Sequence, residues 1–164
     1  MSDKNILNGI RRASAGDKEA VMRILEETKF FRPDEIVTAE EVFDGAITAG
    51  PAGDYQSYVA RDGNKTIGWV CFGATACTVG TFDIYWVAVD PGYQGKGVGK
   101  ALMEYATGLI GKYGGRLITV DTSGHERYVS TRRFYESLGY LQEACIKDFY
   151  AVGDDKTVYI KRLN

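Results

Sequence analysis

Three glycines at alternate positions, Gly95, Gly97 and Gly99, follow the aliphatic run Val87-Ala88-Val89 and the turn Asp90-Pro91-Gly92, and they open a stretch of helical periodicity. Residues of these types in this order make an anion cradle. Pro91 fixes its own φ and disfavours helix at Asp90, while Gly92 tolerates positive φ, so the strand ends there. With no Cβ at the glycines, the diphosphate of a nucleotide-like ligand can approach the N–H groups that a helix start leaves unpaired, at the positive end of the helix dipole.

Two familiar phosphate loops fail on spacing. A P-loop needs Ser or Thr after its Gly-Lys, but Gly99-Lys100 is followed by Ala101, and Gln94 stands where the first glycine belongs. A dinucleotide turn of the form Gly-x-Gly-x-x-Gly reads Gly95, Gly97 and then Lys100, although Asp121 ends the next strand as a ribose-binding acid would. That leaves a nicotinamide-dependent oxidoreductase as a minor alternative. What fits is Gln/Arg-x-x-Gly-x-Gly/Ala, met as Gln94-Gly95-Lys96-Gly97-Val98-Gly99, with a second block at Ser130-Thr-Arg-Arg-Phe-Tyr-Glu-Ser-Leu-Gly-Tyr140. Together the two blocks resemble the GCN5-related N-acetyltransferase (GNAT) family, and the resemblance runs from about Ile6 to the last strand.

The resemblance implies acetyl-CoA as acyl donor, no metal, and transfer to a primary amine on a small molecule or peptide by direct attack in a ternary complex. Two parallel strands would splay to admit the pantetheine arm against the backbone of Val87, Ala88 and Val89. The segment Gln94, Gly95, Lys96, Gly97, Val98, Gly99 and Lys100 would meet the diphosphate, mostly through main-chain N–H groups. Tyr135 matches the tyrosine placed to protonate the coenzyme A thiolate; its spacing from Thr131 and Leu138 equally suits a core aromatic. An oriented N–H near Val87 would polarise the carbonyl. Asp83, eleven positions before Gln94, stands where some members carry a glutamate base, and it also reads as a solvated strand end beside Thr81. Tyr128 replaces an asparagine that often contacts the cofactor, and its ring is expected to pack on the pantetheine or adenine. Phe30 and Phe31 with Arg32, Asp148 with Tyr150, and the acidic turn Gly153-Asp-Asp155 are candidate walls for the acceptor. His125, the one histidine, reads as a solvated loop residue. A non-catalytic acyl-CoA-binding or sensing module is the other alternative.

These residues must be positioned by one domain spanning 1–164, since 164 residues with 45% hydrophobic composition suffice for one substantial core and not for two. A formal charge of −2 argues against a nucleic-acid partner. No membrane span or signal stretch is read, and residence is expected to be cytoplasmic. Cys71, Cys77 and Cys145 show no C-x-x-C spacing and read as buried small hydrophobes in a reducing compartment.

Periodicity predicts a strand over Ile10 to Ala13, a helix N-capped by Asp17, and a second helix opened by a capping box at Thr38-Ala-Glu-Glu41 and stopped by Gly50-Pro51. A hairpin, Tyr55 to Ala60 and Thr66 to Phe72, turns at Asp62-Gly63-Asn64, and a long strand covers Phe82 to Val89. After the glycine turn come a helix, a strand over Arg116 to Asp121, a helix over Arg127 to Leu138, and a closing pair, Tyr140 to Lys147 and Thr157 to Leu163. The fold class is α/β: a mixed, mostly antiparallel sheet of six to seven strands with a splayed parallel pair and flanking helices. Strand edges at the chain's end offer unpaired backbone to a second copy, so a homodimer is open.

Overall fold

Alternation of apolar and polar residues gives way to continuous burial at Thr66–Gly73, as befits a strand covered on both faces. In the computed structural model, which describes residues 9–163, this strand lies within one seven-stranded sheet. The strands are β1 (Ile10–Arg12), β2 (Tyr55–Asp62), β3 (Lys65–Ala74), β4 (Thr81–Val89), β5 (Leu117–Ser123), β6 (Leu141–Ala151) and β7 (Asp154–Arg162), in spatial order β1-β2-β3-β4-β5-β7-β6. Every neighbouring pair is antiparallel except β4 and β5, which is the expected fold class. Ile6, where the resemblance begins, lies outside the described residues.

Helices α1 (Lys18–Thr28) and α2 (Pro33–Ala49) cover one face of the sheet, and α3 (Val98–Lys112) the other, while α4 (Val129–Ser137) adds Tyr135 to that second core. The first core packs Val21, Ile24, Leu25 and Phe43 on Trp69 and Cys71. The second packs Leu102, Met103, Ala106 and Ile110 on Val70, Phe72 and Ile118. Gly68 allows the close approach of α3 to β3, since a Cβ there would stand 2.9 Å from Leu102 Cδ1 and 3.1 Å from the Ala88 carbonyl.

Three local expectations are corrected. The second helix begins at Pro33, not after Thr38: proline suits the first helical position, Glu35 accepts the Arg32 N–H at 2.7 Å, and the Thr38 hydroxyl donates back to the Asp34 carbonyl within the helix. Asp17 stands at the N-cap position of α1, but its side chain makes no capping hydrogen bond. It is buried, takes both guanidinium nitrogens of Arg11 at 2.8 and 2.9 Å, and accepts from Ser14 and the Thr66 hydroxyl, tying β1 to β3. Of the cysteines only Cys71 is buried; Cys77 sits in the β3–β4 loop at φ +60° and Cys145 on the edge strand β6, and both are exposed. Among the described residues no helix is long and apolar enough to cross a membrane.

Candidate active site

Parallel pairing of β4 with β5 lasts for three residues, Thr81, Phe82 and Asp83 opposite Leu117, Ile118 and Thr119. Beyond Asp83 the strands part. The edge of β4 that β5 leaves is therefore bare from Ile84 to Val89, while its other edge stays paired to β3. A bulge at Tyr85 shifts that inner register, with Phe72 opposite Ile84 and Cys71 opposite Trp86. Bulges bend a strand and re-aim its groups. The result is a cleft of about 1330 Å³ lined by β4 residues Asp83 to Val89, by Gln94, Gly95 and Gly97 to Lys100, by α4, and by the α1–α2 loop.

At one end of the cleft the glycine turn opens α3. Asp90 ends β4 and folds the turn by accepting the Gly92 N–H at 2.9 Å, and Lys65 anchors its carboxylate at 2.8 Å. Gly97 is the N-cap of α3 at φ +84°, and no side chain caps the helix. That first turn, facing the cleft, has the N–H donors and the dipole end that a diphosphate needs. The fit is close, since a Cβ on Gly99 would come within 3.3 Å of the Phe134 ring. Val87, Ala88 and Val89, together with Gln94, Gly95, Val98 and Lys100, line the cleft as well. Lys96 does not; its Nζ bonds the Gly92 carbonyl at 2.7 Å, folded back over the Tyr93 ring. The Gln94 side chain reaches the Val89 carbonyl at 3.3 Å.

Tyr135 lines the cleft from α4, 6% exposed, its ring 5.9 Å from Tyr140 and 6.0 Å from Tyr159. Burial pushes its phenol well above the ordinary tyrosine range, with Tyr140 adding to it. The group therefore stays protonated throughout the physiological range. It both belongs to the core and lines the cleft, so the two readings of its spacing are compatible. Asp83 sits at the apex where the strands part, accepting from the Thr75 hydroxyl at 2.6 Å and from the Thr119 hydroxyl.

The far end is built by elements distant in sequence. Phe30 and Phe31 from the α1–α2 loop and Tyr150 from β6 line it. Asp148 does not: at φ +53° it is spent on the β6–β7 turn, where its carboxylate accepts the Gly153 N–H at 2.6 Å. Asp155 likewise folds back onto Lys147, whereas Asp154 faces the cleft. Tyr128 lines the cleft as well. Its hydroxyl donates to the Phe30 carbonyl at 2.7 Å and its ring lies tilted against that of Phe30 at 5.8 Å, so it holds the α1–α2 loop. His125 is exposed and accepts the Arg127 N–H at 3.3 Å. The sequence reading missed Glu35, Tyr85, Trp86, Thr119 and Lys156 in this lining, although Tyr85 and Trp86 adjoin the Val87-Ala88-Val89 run and Lys156 follows the acidic turn Gly153-Asp-Asp155. Among the described residues no group of three or more His, Cys, Asp or Glu is placed to hold a metal ion.

Comparison with known proteins places this geometry. A family model described as an acetyltransferase (GNAT) domain matches residues 53–142. A crystal structure from Desulfovibrio desulfuricans, assigned to the GNAT family of acetyltransferases, superposes with a TM-score of 0.90 at 40% identity, covering 93% of this chain and 97% of that one. An aminoglycoside 6'-N-acetyltransferase complexed with coenzyme A shares the fold at a TM-score of 0.74 and 15% identity, over 93% of this chain and 96% of that one. NAA60 of Arabidopsis thaliana, in complex with a bisubstrate analogue, does so at 0.74 and 18%, over 94% and 97%. No curated protein matches the sequence. By the matched domain and by 40% identity over nearly its whole length, the chain belongs to the GNAT family of acetyltransferases.

Proposed function

We propose that this protein moves an acetyl group from acetyl-CoA to a primary amine by direct attack in a ternary complex. One observation carries the reading: the bare edge of β4, the start of α3 that no side chain caps, and Tyr135 all line one cleft, together with Phe30, Phe31 and Tyr150. An extended pantetheine would complete the ladder that β5 abandons, and its diphosphate would meet the N–H groups from Gly97 onward. When bound, acetyl-CoA supplies an acetyl thioester.

The chain's residues then have distinct tasks. A backbone N–H beside the Tyr85 bulge, near Val87, polarises the thioester carbonyl. Asp83, directly or through a water, takes the proton that the attacking amine sheds. As the new C–N bond forms and the C–S bond breaks, Tyr135 gives its proton to the departing sulfur. Cysteine is assigned no covalent step, since Cys71 is buried with its thiol pushed up to about 12 and neither Cys77 nor Cys145 lines the cleft. Cytoplasmic residence and one domain over the whole chain accompany this reading.

Thiol release measured on Tyr135→Phe tests it. The account expects kcat to fall about 100-fold with acetyl-CoA affinity retained. A protein that binds acyl-CoA without transferring it would show no turnover in either form, and unaltered turnover in the variant would remove Tyr135 from the mechanism.

A further inference from the structure

The acceptor end of the cleft has a sign. Glu35 from the first turn of α2, Asp121 from β5 and Asp154 at the start of β7 all line it, around the half-buried Tyr150. The Tyr150 phenol records their convergence: burial first, then the charges of Asp121, Glu35 and Asp154, push it up to about 12. Two cations also line this end, and both are already paired. Arg32 is held by Asp34 at 3.1 Å, and Lys156 by Asp121. A third cation nearby, Arg127, lies over the Phe30 and Tyr128 rings with one nitrogen on the Lys29 carbonyl. Among the described residues neither Glu35 nor Asp154 has a cation within ion-pair distance, although the Arg32 guanidinium feels the charge of Glu35. Glu35 accepts only the Arg32 N–H and Asp154 only the Ser123 hydroxyl.

We infer that the acceptor is an amine carrying a second ammonium group, a small aliphatic diamine or polyamine, whose distal charge is held by Glu35 and Asp154 between the Tyr128 and Tyr150 rings. This rests on the acetyl-transfer reading and narrows its substrate. Unpaired carboxylates facing a cleft attract a cation, and aromatic faces add to the attraction. The carboxylates stand on three elements and are not grouped closely enough to hold a metal ion, which suits a charge carried on a flexible chain. A neutral alkyl tail would bring neither carboxylate an ion-pair partner.

The test compares 1,4-diaminobutane with butylamine, equal in carbon count but carrying one charge fewer, by thiol release at saturating acetyl-CoA. The expected result is a kcat/KM at least about tenfold higher for the diamine, lost through KM in the double variant Glu35→Gln/Asp154→Asn. Both replacements keep an oxygen for the Arg32 N–H and the Ser123 hydroxyl, and the acetyl-CoA dissociation constant of the variant reports an intact cofactor groove. Equal efficiency with the two amines, or a diamine preference that survives in the double variant, overturns the inference and leaves acetyl transfer standing. Binding of acetyl-CoA without thiol release from either amine also overturns it, acetyl transfer then resting on other acceptors. Failure to bind acetyl-CoA at all overturns both.

Discussion

Gly97 and Lys96 are neighbours in the glycine turn with opposite prospects. Gly97 holds φ +84° at the N-cap of α3, where any L side chain costs about 1–2 kcal/mol and so disfavours the turn that presents the first N–H groups. Lys96 is folded back onto the Gly92 carbonyl, outside the cleft. Gly97→Ala should therefore weaken acetyl-CoA about tenfold or more, and Lys96→Ala by less than about threefold, in a fluorescence or calorimetric titration. A reversed order would mean that side-chain charge, and not main-chain N–H groups, holds the diphosphate. The turn was legible in the sequence because its chemistry is local: positive φ, a missing Cβ and a helix start all fall within six residues. Glu35 and Asp154 were not legible as partners, because nothing local links the first turn of α2 to the start of β7. Only the folded sheet brings them to one wall.

At the level of elements, the acceptor end depends on a latch across 98 residues, in which the Tyr128 hydroxyl bonds the Phe30 carbonyl at 2.7 Å and Arg127 bonds the Lys29 carbonyl at 2.6 Å. These contacts fix the α1–α2 loop against the entry to α4. Tyr128→Phe removes one hydrogen bond, worth about 1 kcal/mol. Steady-state kinetics should then show the acceptor KM rising several-fold with the acetyl-CoA dissociation constant unmoved. A weakened acetyl-CoA affinity would instead return Tyr128 to the cofactor. Elements themselves were read from the sequence unevenly. The hairpin, β4 and α3 were legible because turn residues bound clear periods. The start of α2 was not, since Thr38-Ala-Glu-Glu41 has the composition of a capping box, while the helix in fact opens at Pro33 with the Glu35 side chain accepting the Arg32 N–H. The Tyr85 bulge was hidden too, for an extra residue in a ladder leaves no mark on the alternation of so aromatic a strand.

For the whole molecule, the buried carboxylate of Asp17 joins the N-terminal strand to the centre of the sheet. Burial alone would raise it, but hydrogen bonds from Arg11, Ser14 and Thr66 outweigh burial and hold it at about 2, below its ordinary 3.8. A depressed carboxylate stabilises the fold above the unfolded value. That contribution, about 2 kcal/mol, is lost as pH falls from near 4 toward 2. Asp17→Asn should accordingly lower Tm at pH 7 and flatten its decline below pH 4 in thermal melts, and an unchanged acid limb would assign that decline to other groups. The same sheet positions the site, since β4 and β5 are held together as far as Asp83 and part beyond it. Calorimetric titration with acetyl-CoA, with NADH as the parallel control, tests that consequence most directly. Micromolar binding of acetyl-CoA with no response to NADH is the predicted result, and absence of acetyl-CoA binding would contradict the assignment of the groove and every role built upon it.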